Sequence, residues 1–264
     1  MTTHNENRFH SKILLYGVTV SLVISTKDLH AEYGDVKALA DVNIEVYDSC
    51  SLAVIGPNGS GKSTLLGILA GTVRAASGGV TVKGPPPAFV LQATNVDRSL
   101  PITVRDTVAL ARYPSLGVFN RFGSADAAAI HTAMERLQID NLATTQLHDL
   151  SGGQRQRVLV AQGLAQESNV LLLDEPVGGL DVTSRSIILG LIDEEVAAGR
   201  TVVVTTHSLE EAQRCHQVLL LKTRPIAYGP PDEVLVEDYL QVAFGGNFIR
   251  VGDKLILDDP HHHH

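Results

Sequence analysis

Cysteine is scarce in this sequence. Cys50 and Cys215 are the only two among 264 residues. That is too few for a disulfide framework or a paired-cysteine metal site, so both read as quiet thiols of a reducing compartment. Long apolar runs are also missing. No stretch reaches the 18 or so residues that a membrane-crossing helix needs. The nearest approach, residues 13–24, is interrupted by Gly17, Thr19 and Ser21. No small-residue cleavage site follows it, so it reads as a β-strand with an apolar lead-in and not as a signal peptide. There is no basic surplus either. Twenty-one Lys and Arg stand against 29 Asp and Glu, for a net charge of −8, which argues against a general nucleic-acid binder. No nucleic-acid partner is expected. Internal repeats and low-complexity linkers are absent as well.

What is present is alternation. Apolar runs of strand length alternate with segments of helical spacing, the pattern of an α/β domain with a largely parallel sheet. Residues 51–55 form an apolar run that stops at Gly56. A glycine-rich loop follows, then a helical segment over 62–70 closed by Gly71. Residues 170–173 read as a second buried strand, leading to Asp174. Residues 182–198 carry Ile187, Ile188, Leu191, Ile192 and Val196 at helical spacing, and Gly199 closes that helix. Residues 201–205 read as a third strand, leading to His207. The chemically interesting residues thus lie just beyond the carboxyl ends of strands, where open α/β sheets place ligands. The middle of the chain, 93–150, differs. It has few strand-like runs and an alanine-rich stretch over 125–138, and is predicted to be a mostly helical insert with a loop over 116–123.

Three constellations carry chemistry. Gly56-Pro57-Asn58-Gly59-Ser60-Gly61-Lys62-Ser63-Thr64 has the GxxxxGK[ST] spacing of a phosphate loop. Its glycines let successive backbone N–H groups point at phosphate oxygens, and a helix beginning near Lys62 turns its positive end toward the same anion. Lys62 adds a charge at the β- and γ-phosphates, and Ser63 offers a hydroxyl to Mg²⁺. Asp174 and Glu175, at the end of a buried strand, are suited to holding Mg²⁺ and orienting an attacking water. Leu150-Ser151-Gly152-Gly153-Gln154 places an N-capping serine before a helix expected to start near Gln154. Gly152 and Gly153 leave backbone N–H groups open at its positive end. One chain therefore has two anion-gripping surfaces, which invites a second molecule.

The LSGGQ run combined with the phosphate loop resembles the nucleotide-binding subunits of ABC transporters over residues 20–236. The resemblance implies a P-loop NTPase (RecA-like) core with a mainly parallel sheet, an N-terminal antiparallel β subdomain, and an inserted helical subdomain over about 93–155. Residues 1–19 are then an extension, in part without fixed structure, and 237–264 a tail. Residue by residue, it implies that Tyr33 stacks on adenine and that Gln92 touches Mg²⁺ and senses a membrane partner. Glu175 and the run to Asp181 match the family's base and D-loop, with Asp181 at a dimer seam, and His207 matches the switch histidine at the γ-phosphate. ATP and Mg²⁺ are the implied cofactors, with Ser63, Gln92 and Asp174 on the metal. Two copies are expected to meet head to tail, each closing Ser151 and Gly153 over the other's nucleotide. The other implied partners are a polytopic membrane permease and, indirectly, an extracellular substrate-binding protein. Such a subunit sits peripherally on the cytoplasmic face of the cell membrane.

For cargo, residues 92–104 (QATNVDRSLPITV) look like the matching stretch of manganese- and zinc-type importer subunits. Import of iron–siderophore or another substrate, and a soluble non-transport ABC ATPase, are the alternatives. Residues 245–260 are expected to form either a final strand pair or a loose tail, and His261–264 a tag remnant or floppy end.

Overall fold

A computed structural model describes residues 12–15, 18–92, 101–116, 122–245, 247–251 and 254–258. The expectations for residues 1–11, for most of the 92–104 stretch and 116–123 loop, and for the terminal histidines lie outside the described residues.

The first unit is antiparallel. Strand β1 (Lys12–Leu15) pairs with the start of the long strand β2 (Val18–Tyr33), which pairs in turn with β3 (Val36–Tyr47). Gly34, at φ 58°, makes the tight turn between β2 and β3. Strand β5 (Ser77–Val82) also pairs with β2. Along β3 the burial alternates from Asp41 to Val46, as a sheet with one face on a core requires.

The second sheet has six strands in the order β10-β9-β4-β8-β7-β6. They are β4 (Ser51–Ile55), β6 (Ala88–Val90), β7 (Val170–Asp174), β8 (Thr201–Thr206), β9 (Gln217–Lys222) and β10 (Arg224–Gly229). All neighbours are parallel except β10, which runs antiparallel to β9 at the edge. Strands β4, β7 and β8 are buried along their whole length, because a parallel sheet is covered on both faces. Successive residues feed two separate cores. Leu52, Val54, Leu172 and Val203 pack with Leu65, Leu66, Ile68 and Leu69 of helix α1 (Lys62–Leu69) and with the antiparallel unit. Ala53, Ile55, Leu171, Leu173, Val202 and Val204 pack on the opposite face. Each fully buried Val, Leu or Ile among them contributes roughly 1.5–3 kcal/mol, so the strand ends bearing Gly56, Asp174 and His207 are fixed by deep packing.

Helices α2 (Val104–Ala109), α3 (Tyr113–Leu116), α4 (Ser124–Arg136) and α5 (Gly152–Ala165) build the insert. A capping box between Thr103 and Asp106 starts α2. Arg112 ties this region together: its Nε donates to Asp126 Oδ1 at 2.9 Å and its Nη1 to the Ala165 carbonyl at 3.0 Å. Arg136 reaches Glu194 and the buried Glu195 of helix α6 (Val182–Ala197). Helices α7 (Leu209–Gln213), α8 (Pro231–Val234) and α9 (Glu237–Phe244) complete the second sheet's surroundings.

Of the two expectations for residues 245–260, the strand pair is the one observed: β11 (Asn247–Val251) pairs antiparallel with β12 (Lys254–Asp258). Among the described residues no helix is long and apolar enough to cross a membrane. Burial pushes the Cys215 thiol up to about 11 and also raises that of Cys50, with Asp48 adding to the latter, so both remain protonated near neutrality.

Candidate functional site

The glycine-rich loop leaves the carboxyl end of β4 and returns as α1. Two of its glycines are required sterically. A Cβ on Gly56 would lie 2.0 Å from the Leu221 carbonyl oxygen. Gly61 has φ 100°, and a Cβ there would meet the Ala38 carbonyl oxygen at 2.4 Å. The loop is tied down from outside: Thr223 N–H donates to the Ser60 carbonyl at 2.9 Å, and Ala40 N–H to the Thr223 carbonyl at 2.8 Å. Ser60 Oγ is buried and has no hydrogen-bond partner among the described residues. Asn58, Gly59 and Ser63 are exposed, while Pro57 and Thr64 are partly buried.

Lys62 is buried, and its Nζ donates to the Gly56 carbonyl at 2.8 Å and the Pro57 carbonyl at 3.2 Å. Burial pulls its ammonium below the ordinary lysine value, against the opposing pull of Glu175 and then Asp174. Lys62 Nζ lies 4.0 Å from Glu175 Oε1, and Glu175 Oε2 lies 3.9 Å from His207 Nδ1. These gaps are longer than hydrogen bonds. They place an ammonium, a carboxylate and an exposed imidazole around one point beside the loop. Glu175 has a left-handed backbone, φ 44°, an uncommon conformation for a non-glycine residue and one that clusters at functional positions.

Asp174 ends β7 and is buried. Its Oδ1 accepts from Thr205 Oγ1 at 2.6 Å, and its Oδ2 has no hydrogen bond among the described residues. Ser63, Asp174 and Gln92 together offer a hydroxyl, a carboxylate and an amide, an all-oxygen donor set of the kind Mg²⁺ takes alongside phosphate oxygens. The side chains present therefore fit the metal. Gln92 lies just past β6 and is exposed. Tyr33 is 55% exposed at the end of β2, an open ring available for stacking.

The LSGGQ segment makes its own set of contacts. Ser151 Oγ accepts from the Gln154 N–H at 3.2 Å, and Gln154 Oε1 accepts from the Ser151 N–H at 3.0 Å. This reciprocal box starts helix α5 at Gly152, two residues earlier than the expected start near Gln154. The glycines are poor helix formers on their own, but the cap at Ser151 recruits them. Gly152 stands in open space. Gly153, expected to be open like it, is buried: a Cβ there would meet Asp181 Oδ2 at 2.4 Å and Ser184 Oγ at 2.5 Å. Asp181 in turn caps α6 by accepting from the Ser184 N–H at 2.8 Å, and that bond, followed by the Ser184 hydroxyl, holds its carboxyl below the usual range.

Sequence reasoning missed two residues here, Thr205 and Ser184. A threonine closing an otherwise valine-rich strand was the one visible signal for Thr205. Ser184 had none, because its relation to Gly153 exists only in three dimensions.

The ABC transporter family model matches residues 39–178, just over half of the chain. The manganese transport system ATP-binding protein MntB of Listeria innocua is 34% identical over 230 residues, spanning 84% of this chain and 96% of that protein. The zinc transport system ATP-binding protein TroB of Treponema pallidum is 36% identical over 231 residues, spanning 84% of this chain and 87% of that protein. Among solved structures, a chain described as part of a metal-chelate-type ABC transporter in an inward-facing conformation superposes with a TM-score of 0.78. It is 29% identical, covering 89% of this chain and 96% of that one. With a matching family model across the phosphate loop and the LSGGQ segment, and relatives aligned along most of its length, the chain belongs to the ABC transporter family and is an ATPase.

Proposed function

We propose that this chain is the motor subunit of an ABC importer, hydrolysing ATP to drive uptake of manganese or zinc through a separate permease. The observation that carries the reading is the convergence of Lys62, Glu175 and His207 within 4.0 Å and 3.9 Å beside the phosphate loop. Lys62 and the loop amides hold the β- and γ-phosphates, and Tyr33 stacks on adenine. Mg²⁺, when bound, neutralises charge on the β- and γ-phosphate oxygens. Ser63, Asp174 and Gln92 are the residues that would hold it. Glu175 orients the attacking water and takes its proton, while His207 steadies the γ-phosphate. Catalysis here is positioning plus charge stabilisation.

Ser151 of a second copy closes over the nucleotide at the helix start that Gly152 leaves open. The open phosphate loop and the open helix start at Ser151 and Gly152 support this head-to-tail pairing. An apolar groove of about 320 Å³, lined by Phe89, Leu91, Leu110, Ala111, Pro114 and Leu159 among others, supports docking of a permease segment against the insert, on the cytoplasmic face of the membrane. The named relatives are described as transport proteins for manganese in one case and zinc in the other, and their identities to this chain, 34% and 36%, are close, which is why both metals stand in the reading.

The test is uptake of radioactive manganese and zinc by cells carrying the chain with its permease, compared with Glu175→Gln. The variant should bind ATP and abolish uptake. Uptake that survives the substitution, or that follows neither metal, removes the proposal.

A further inference from the structure

We infer that Thr205 is a positioning residue for ATP hydrolysis, a hydroxyl clamp that sets the metal-side carboxylate and the water-orienting carboxylate at once; this rests on the proposed roles of Asp174 and Glu175. Strand β8 lies between β4 and β7, and Thr205 is completely buried. In an interior parallel strand the expected occupant is apolar, as Val202, Val203 and Val204 are. A hydroxyl there is unfavourable unless it is fully hydrogen-bonded.

Both of its bonds go to the reaction centre. Register makes Asp174 and Thr205 Cα partners across β7 and β8, so the hydroxyl sits beside the carboxylate. It donates to Asp174 Oδ1 at 2.6 Å, a short charge-assisted bond. That bond fixes the carboxylate's rotation and leaves Oδ2 for Mg²⁺. The same oxygen accepts from the Glu175 N–H at 2.8 Å. Glu175 is the first residue past β7, and at φ 44° its backbone has left the strand conformation. The Thr205 oxygen therefore stands in for a ladder acceptor and holds Glu175 in that turned state. The turned state is what brings its carboxylate to 4.0 Å from Lys62 and 3.9 Å from His207.

The neighbouring hydroxyl shows that the arrangement is particular to Thr205. Thr206 bonds instead to Glu211 and accepts from the Ser208 N–H, which serves the start of α7. Valine at position 205 would keep the shape of the side chain and remove both bonds to the site.

The experiment uses the full chain and compares wild type, Thr205→Val, Thr205→Ser and Glu175→Gln. It measures steady-state phosphate release, and titrates a fluorescent ATP analogue with and without Mg²⁺. Thr205→Val should lower kcat roughly 10- to 100-fold, the scale of a small misplacement of a catalytic group. It should leave analogue affinity unchanged in EDTA, and shrink the gain in affinity that Mg²⁺ brings. Thr205→Ser should restore both. Should the valine variant fail to fold, Thr205→Ala against Thr205→Ser asks the same question. Wild-type kcat and Mg²⁺ gain in the valine variant overturn the inference, as does a loss that serine does not rescue. Glu175→Gln separates the two ideas. If Glu175→Gln is inactive and Thr205→Val fully active, the clamp is refuted and the motor reading stands. If Glu175→Gln turns over normally, the motor reading fails first.

Discussion

The phosphate loop and the LSGGQ segment both present backbone donors at the start of a helix, yet they are finished to different degrees. The phosphate loop is held from several sides. Leu221 and Ala38 fill the space that side chains at Gly56 and Gly61 would need, Thr223 bonds its backbone, and Lys62 is folded onto its carbonyls. Lys62, Glu175 and His207, the groups proposed to work there, stand beside it in the same chain. The LSGGQ segment is held by the Ser151–Gln154 box and by Arg155, whose Nη2 donates to the Leu150 carbonyl at 3.1 Å, and it rests on Asp181 and Ser184 through Gly153. A site complete in one molecule binds alone. A surface that is merely capped and supported fits the proposed role of closing on a ligand that another molecule brings.

The largest expected effect breaks chemistry without touching either surface's shape. Glu175→Gln should keep ATP affinity and lose about 10²- to 10⁴-fold in phosphate release, the range for removing a general base. It should also accumulate an ATP-bound dimer visible by sedimentation. Next comes the comparison itself. Lys62→Ala should weaken ATP binding by the isolated chain, by about 1.5–3 kcal/mol for lost hydrogen bonds to a charged group. Ser151→Ala should leave single-chain affinity unchanged and lower the turnover of the assembled transporter. Titration of both variants with a fluorescent ATP analogue decides the matter: equal losses of affinity would make the two surfaces alike and end the distinction.

A smaller effect separates the two glycines of the LSGGQ segment. Gly153→Ala drives a methyl against Asp181 and Ser184 and should destabilise by about 1–3 kcal/mol. Gly152→Ala meets open space and should stabilise the first turn of α5 by up to about 1 kcal/mol. Thermal melting of the two variants should therefore shift in opposite directions.

The asymmetry between the surfaces follows what the sequence made legible. Strands 51–55, 170–173 and 201–205 were readable because interior parallel strands must be apolar along their length. The phosphate loop was readable because Gly56 and Gly61 answer backbone requirements that local spacing expresses. The stretch 13–24, expected to be one strand with a lead-in, is divided between β1 and the start of β2, and β2 runs on to Tyr33. The pairing of β2 with β3 shifts register between Leu22 and Ile24, Thr26 and Leu29, Leu29 and Ala31, and Ala31 and Glu32. Such bulges destroy the two-residue alternation that marks a strand. Likewise, the burial of Gly153 depends on Asp181, 28 residues away in the chain, and the bonds of Thr205 depend on β7–β8 register. Neither leaves a trace in local composition.

The smallest expected effect concerns how the LSGGQ helix is moored at its far end. Arg112 joins Asp126 of α4 to the carbonyl of Ala165, the last residue of α5, so this ion pair steadies the helix whose other end is Gly152. The Gly123 N–H, and after it the Arg112 guanidinium, hold the Asp126 carboxyl below the usual carboxylate range. A carboxyl lowered in the folded state stabilises the fold above its unfolded value, near 3.9, and loses that contribution as pH falls through the folded value. The melting difference between wild type and Asp126→Asn should hence stay level from neutral pH down to about 5 and shrink below about 4. Arg112 keeps its bonds to Glu167 and Ala165 in the variant, which limits the size of the difference. A gap that stays constant into strong acid would show that Asp126 acts through shape alone. In that case the mooring of α5 would rest on packing, as part of the phosphate loop's does, and this contrast between the two surfaces would narrow.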